Sequence, residues 1–181
     1  KALDALARIC IERDSPVDAV TWLRKRLLET EDPAERVSVM LKLAKAHIQA
    51  AQRSRAITTL ESALKESPGN IEALKLLTNQ YRLAESWDEL ADALSETAKY
   101  VSDEASILAY AREASAIYNE KLGSPDRAVP VLERALPFAG QDRALKSMLV
   151  DGLIAAHRLD EARNLAAELI VDFGRRRSGE R

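Results

Sequence analysis

The sequence contains few of the residues that interrupt or cross-link a chain. Its 181 residues include one cysteine, six glycines and six prolines, and only 4% are aromatic. The lone Cys10 cannot form a disulfide within the chain, and its place on the apolar side of a helical pattern predicts a buried, inert thiol. No apolar run approaches the roughly 18 residues that a membrane span requires. Regular alternation of apolar and polar residues is also missing, so no β-sheet is expected.

An excess of one charge is missing as well. Lys and Arg together number 27 and Asp and Glu 29, which gives a formal net charge of -2. Proteins that bind duplex nucleic acid usually carry a clear basic excess. Nucleic acid is therefore not an expected partner.

The residue patterns that carry catalysis are absent too. No Ser or Cys nucleophile set with His and an acid, no carboxylate dyad and no Gly-rich phosphate loop is recognisable. The two histidines, His47 and His157, have no cysteine or second histidine near them in the sequence, so neither is expected to bind a metal. We expect no enzyme activity, no cofactor and no metal site.

Amphipathic helix is what the sequence does contain. Apolar residues recur every three or four positions, as at Val37, Leu41, Ala44 and Ile48. The pattern predicts ten helices paired as antiparallel hairpins. Their approximate bounds are 1–12, 16–30, 33–51, 53–66, 70–84, 87–101, 103–122, 125–137, 141–156 and 159–172.

Proline marks several helix starts. A capping residue precedes a proline at three of them, Ser15-Pro16, Asp32-Pro33 and Ser124-Pro125, and Asp160 is a further expected cap. Pro130 lies five residues after Pro125, where it would remove a backbone hydrogen bond inside the helix. We therefore predict a kink near Val129 or a helix that begins late, and an end to this helix soon after Leu136.

A pattern of small and apolar residues recurs along the chain. The positions that head the second helix of each hairpin are Ala19, Ala56, Leu90, Ala128 and Ala162. Their spacings are 37, 34, 38 and 34 residues, and a period in the thirties is typical of a solenoid of stacked units. The alternation of long and short steps indicates either duplication of a two-unit block or independent lengthening of two connections.

The pattern resembles the tetratricopeptide repeat (TPR), a family of helix hairpins. The second unit carries the clearest match, with Leu43, Ala44, Ala56, Leu60, Ala63 and Pro68 in register. The resemblance implies an all-α, right-handed superhelix of about five hairpins, at about 1–34, 37–70, 71–104, 108–141 and 143–174, followed by a basic tail or linker at 175–181. The chain departs from the motif at Thr78, Ser115, Val150, Leu90 and Arg26, so the related pentatricopeptide and half-a-TPR arrays stay open.

Members of this family are mainly scaffolds that dock an extended peptide or helix in a concave groove lined by the first helices. The same register would place in that groove the residues Lys42, Lys45, Gln49, Lys75, Asn79, Arg82, Arg112 and Asn119. These cations and amides suit an acidic or C-terminal peptide, and the alternative is an ordinary solvated helix face. Lys75 and Asn79 resemble the start of a two-carboxylate clamp, but Glu113, Ala144 and Met148 do not complete it.

We interpret the chain as a protein-interaction scaffold cut from a larger, bacterial and cytoplasmic protein. The alternative is a structural spacer that self-associates through exposed end repeats, and the third is an array that binds single-stranded RNA. The RNA alternative ranks last because no base-reading residue recurs at a fixed site in each repeat. Trp22 and Trp87 are expected to be packing anchors. Arg175–Arg177 and Arg181 are expected to form a disordered linker or the start of another helix.

Overall fold

The computed structural model describes residues 2–179, and the side chains of residues 2–171. Every regular element in this range is helical, and none of these helices combines the length and apolar content needed to cross a bilayer. The α-helices are α1 Ala2–Glu12, α2 Pro16–Leu28, α3 Pro33–Gln49, α4 Arg53–Glu66, α5 Ile71–Ala84, α6 Trp87–Tyr100, α7 Glu104–Ala116, α8 Val129–Ala135, α9 Arg143–Ala155 and α10 Leu159–Gly179. A π-helical turn, Ile117–Lys121, follows α7, and 3₁₀ turns flank α8 at Pro125–Ala128 and Leu136–Phe138.

The predicted bounds of α1 to α6 and of α9 differ from the observed ones by at most two residues. The last helix differs most, because it continues to Gly179 rather than ending at residue 172. The side chains of Arg175–Arg177 and the whole of Arg181 lie outside the described residues. The expected tail therefore stays a prediction.

Only some of the expected caps form. Asp32 accepts a hydrogen bond from the backbone N–H three residues later at 2.8 Å, and Asn70, which was not among the expected caps, does the same at 2.9 Å. Ser15 and Ser124 occupy cap positions, but their hydroxyls donate to backbone carbonyls two residues earlier and cap nothing. The expectation for Asp160 is wrong, because α10 already begins at Leu159 and places Asp160 inside its first turn.

Pro130 delays its helix as predicted. The chain from Pro125 forms a 3₁₀ turn, and α-helical geometry begins only at Val129, with Pro130 in the first turn where its missing N–H removes no intrahelical bond. The α-helix ends at Ala135, and Pro137 lies in the 3₁₀ turn that follows.

The turns that follow α1, α3, α5, α7 and α9 each contain one residue with left-handed backbone. Glycine occupies this position once, at Gly123, and the other turns use Asp14, Ala51, Glu85 and His157, with φ between 55° and 59°. In the turn after α3, Gln52 N–H donates to His47 O at 2.8 Å and Ala51 N–H donates to Ile48 O at 3.0 Å. This pair of bonds is the Schellman ending of a helix, so the left-handed residue closes α3 and turns the chain into α4.

The π-helical turn after α7 absorbs one additional residue. In four of the repeats, the last core position of the first helix lies nine positions before the residue that heads the second helix, as His47 does before Ala56. In the fourth repeat the spacing from Tyr118 to Ala128 is ten positions. The structure places the π-helix at Ile117–Lys121, where the count differs. A π turn is how an α-helix accommodates a single inserted residue without shifting the side chains on either side of it.

The chain divides into two compact units, Lys1–Glu85 and Ser86–Arg181. In unit 1 the first and second hairpins share a core cluster of Ala7, Ala19, Val20, Leu23, Leu43 and Ala46, against which Cys10 and Trp22 pack while partly buried. Trp22 is thus the packing anchor expected of it, and Cys10 is half-buried rather than fully enclosed. In unit 2, Leu90, Leu94, Leu132 and Leu145 are fully buried.

Candidate interaction surface on the first helices

The first helices of unit 1 lie side by side and are joined by ion pairs. Lys42 of α3 contacts Asp4 of α1, with 3.3 Å between Nζ and Oδ1. Lys45 of α3 contacts Glu72 of α5, with 2.5 Å between Nζ and Oε1. Both lysines were predicted to hold an acidic ligand, and both already have a carboxylate neighbour within the chain.

A cavity of about 550 Å³ opens on this surface between α1 and α3. Its apolar lining comes from Ala5, Ala7, Ile11 and Leu23, and its charged lining from Asp4, Arg8, Glu12 and Lys42. Only Lys42 was predicted. The missed residues could have been found by extending the register into the first unit, because Ala5, Arg8 and Glu12 stand 37 positions before Lys42, Lys45 and Gln49.

Asp4, which lines the cavity, is held by two cationic side chains. Its carboxylate accepts from Arg26 Nε at 3.2 Å as well as from Lys42. Burial raises the pKa of Asp4, but the ammonium of Lys42 and the guanidinium of Arg26 outweigh it and hold this pKa below its usual value. Arg26 also pairs with Glu35, so the arginine that replaces the motif's small residue ties together α1, α2 and α3.

The remaining predicted residues of unit 1 are exposed on α3 and α5. They are Gln49, Lys75, Asn79 and Arg82. Among the predicted lysines, Lys75 is the one without an acidic partner in the described part of the chain. It is therefore the ammonium best able to receive a carboxylate from another molecule.

Two predicted residues belong to unit 2. Arg112 of α7 donates through Nε to Asp142 at 3.0 Å, and this bond is the largest cause of the lowered pKa of Asp142. Asp142 also accepts from the backbone N–H of Leu145 as the cap of α9, so the pair joins the first helices of two successive hairpins. Asn119 is exposed within the π-helical turn.

The two histidines occupy different settings. His47 is buried, and its Nδ1 lies 2.8 Å from Gln52 Oε1, whereas His157 is exposed in a turn with φ of 59°. Within the described residues, no group of three or more His, Cys, Asp or Glu side chains is placed to hold a metal ion.

The two tryptophan rings are each covered by a lysine. Lys25 Nζ lies 4.7 Å from the ring centre of Trp22, and Lys121 Nζ lies 5.3 Å from that of Trp87.

Comparison with known proteins gives a clear answer for the fold. No family model and no curated protein sequence matches the chain. Among solved structures, the nearly identical TPR-like repeats of a Podosopora anserina kinesin light chain are similar over 94% of this chain and 92% of theirs, with 17% identity and a TM-score of 0.52. A MamA structure is similar over 96% of this chain and 97% of its own, with 15% identity and a TM-score of 0.53. A MamA double mutant is similar over 93% of this chain and 91% of its own, with 13% identity and a TM-score of 0.55. The all-α architecture and these likenesses show that the chain has a TPR-like repeat solenoid fold.

Proposed function

We propose that the chain is a protein-interaction scaffold that docks an extended peptide or helix on the surface formed by its first helices. The observation that carries the proposal is the cavity between α1 and α3, which offers apolar walls with charged groups at its edge. Such a lining suits a peptide whose apolar side chain enters the cavity while its polar groups bind at the rim.

The charges of α3 and α5 favour a ligand with a carboxylate. Lys75 has no acidic partner in the described residues, and Asn79 lies one helical turn further along the same exposed face. An ammonium can pair with a carboxylate, and a neighbouring amide can bond an extended backbone through its donor and its acceptor. We therefore propose an acidic or C-terminal peptide as the ligand of this surface.

The test uses the full chain against an arrayed library of peptides with free or amidated C-termini and acidic or neutral sequences. The double substitution Lys75→Glu with Arg82→Glu should weaken the binding of the selected acidic peptides by about tenfold or more, since two attractive charges become repulsive. A matched pair on α4, Arg53→Glu with Lys65→Glu, changes the net charge equally at exposed positions of a second helix. Equal binding by both variants would contradict the proposal.

Self-association is the second candidate function, and exposed apolar residues on the first and last helices favour it. On α1, Leu6 and Ile9 are exposed. On the last hairpin, the exposed apolar residues are Ile154, Leu159, Ile170 and Val171. Exposed apolar side chains of this kind can form a contact with another protein molecule, and a second copy of the chain is the proposed occupant.

A further inference from the structure

A second cavity of unit 1 lies on the other helices of the hairpins, between α2 and α4. Its volume is about 430 Å³. Arg24 of α2 and Arg55 of α4 line it, with His47 and Leu43 of α3 and the hydroxyl residues Ser54, Thr58 and Thr59. No carboxylate is among these lining residues, although the cavity contains two guanidinium groups.

Unit 2 has an equivalent cavity in which the arginine that corresponds to Arg55 is paired with acids. It lies between α6 and α8 and measures about 400 Å³. Arg127 in this cavity is equivalent to Arg55, because each directly precedes the alanine that heads its second helix. Arg127 forms ion pairs with Asp88 at 2.5 Å and with Asp92 at 2.8 Å. The two aspartates of α6 correspond in register to Val17 and Thr21 of α2, which carry no charge.

Arg55 consequently lacks the acidic partners that its equivalent has. Its one described hydrogen bond joins Nη1 to Gln52 Oε1 at 3.2 Å, and no described carboxylate pairs with it. Its other guanidinium N–H groups are left to solvent or to a ligand.

The residue that corresponds to Arg24 is acidic in the next repeat. Glu61 holds that position on α4, where its carboxylate accepts a hydrogen bond from Tyr81 at 2.7 Å. The cavity of α2 and α4 therefore has Arg24 in place of an acid and His47 in place of a tyrosine, and Arg24 has no acidic partner among the described residues. This position of the second helix therefore carries a cation in the first repeat and an acid in the second.

His47 is a buried residue that lines the cavity, and its second ring nitrogen can serve a ligand. Nδ1 is bonded to Gln52, while Nε2 makes no hydrogen bond and is not among the buried unsatisfied atoms of the described residues. Burial lowers the pKa of His47, Arg55 and Arg24 lower it further, and the bond to Gln52 opposes them. An anion bound beside the ring would offset the two cations and favour the protonated imidazole.

We propose that the cavity between α2 and α4 binds a phosphate monoester through Arg24, Arg55, Ser54 and His47. Guanidinium groups match phosphate oxygens with paired donors, and a dianion offsets two cations where a carboxylate offsets one. The site is separate from the surface of the first helices, so it does not depend on the peptide-docking proposal. The monoester could be a small free metabolite or a phosphorylated side chain of a partner protein.

The test is an NMR titration of the full chain with inorganic phosphate, following the amides of residues 54–59 and the ring of His47. Saturable shifts are expected at these positions together with a rise in the pKa of His47. Arg24→Gln and Arg55→Gln should each weaken binding by about tenfold or more, the effect of losing a charged hydrogen bond. The control Arg53→Gln removes the same charge from an exposed residue of α4 that does not line the cavity.

A second variant uses the pattern of the next repeat. Arg24→Glu introduces an acid at the position of Glu61, where it should pair with Arg55 or with protonated His47, abolish phosphate binding and raise the pKa of His47 without ligand. Circular dichroism establishes that each variant is folded. The proposal is overturned if inorganic phosphate produces no saturable shift, or if the Arg24 and Arg55 variants bind it as well as Arg53→Gln does.

Peptides separate the two sources of the monoester. A phosphoserine peptide that binds at least tenfold more tightly than both inorganic phosphate and its unphosphorylated form would identify a partner's side chain. Equal binding of the phosphoserine peptide and inorganic phosphate would identify a small free ligand. Binding of a single-stranded oligonucleotide in the absence of any monoester binding would contradict the site as proposed.

Discussion

At the scale of single residues, Gly152 has the most demanding position in α9. A Cβ atom added there would lie 2.8 Å from Pro125 O and 2.9 Å from Val129 Cγ2. Glycine inside a helix usually costs stability relative to alanine, by about 1 kcal/mol. Here its absence of a side chain lets α9 approach the 3₁₀ turn before α8.

We expect Gly152→Ala to lower the free energy of unfolding by about 1–3 kcal/mol, because a backbone carbonyl must move to admit the methyl group. Urea unfolding measures the effect. The neighbouring Asp151→Ala, at an exposed position of the same helix, should change stability by less than about 0.5 kcal/mol. A gain of stability in Gly152→Ala would show that helix propensity outweighs the close approach.

Tyr118 makes a pH-dependent contribution to the stability of unit 2. Its hydroxyl donates to Asp92 Oδ1 at 2.5 Å, and burial together with this carboxylate raises the pKa of Tyr118 to about 12. In the unfolded chain a tyrosine ionises near pH 10, at about the reference value. The folded state therefore holds the proton more tightly, so the contribution is complete below about pH 10 and is lost as the pH rises from about 10 to 12.

Stability measured by urea unfolding should accordingly fall between pH 10 and 12 in the native protein, and Tyr118→Phe should reduce that fall. The free energy of unfolding of the variant should also be lower by about 1 kcal/mol near neutral pH, since one hydrogen bond disappears. Tyr110→Phe, which changes a partly buried tyrosine of α7, serves as the control. An unchanged alkaline profile in Tyr118→Phe would refute this role.

At the scale of elements, the turn between α3 and α4 depends on a left-handed residue that is not glycine. Ala51 has φ of 55°, a conformation that costs an L-residue roughly 1–2 kcal/mol. We expect Ala51→Gly to stabilise the protein by about 1 kcal/mol. Ala50→Gly, one residue earlier with φ of -78°, should destabilise it by about the same amount. Thermal unfolding of the two variants tests the prediction, and a loss of stability in both would contradict it.

The helices also show which local features sequence reasoning could predict. The bounds of α1 to α6 follow from apolar spacing and from Pro16 and Pro33, because these act within one or two turns of helix. The delayed start at Pro130 follows for the same reason. The uncapped Ser15 and Ser124 could not be predicted, since a hydroxyl chooses between a backbone carbonyl and a backbone N–H only in the final geometry.

At the scale of the whole molecule, self-association is the property most open to test. If exposed apolar residues of the first and last helices meet in a dimer, the average molecular mass measured by sedimentation equilibrium should rise with protein concentration. Ile170→Lys and Leu159→Lys should shift the protein toward monomer, whereas Leu28→Lys, at an exposed apolar position of α2, should not. A single monomeric species over a wide concentration range would exclude the self-association alternative.

The candidate surface was predicted only in part. Repeat register placed Lys42 and Lys45 on the first helices, since residues one period apart occupy equivalent positions in stacked hairpins. Register alone could not reveal that Asp4 and Glu72 already pair with them. Those contacts join residues 38 and 27 positions apart, and they depend on how neighbouring first helices lie beside each other.

The sequence by itself determined the class of this protein, because helix periodicity, small residues and helix breakers act over short distances and repeat every 34 to 38 residues. Only the tertiary structure decided which charges are already paired. It placed Arg127 against two aspartates and left Arg24 and Arg55 without them, although Arg127 and Arg55 hold equivalent positions in their repeats. The physical reason is that electrostatic pairing depends on distance across helices, and packing fixes that distance.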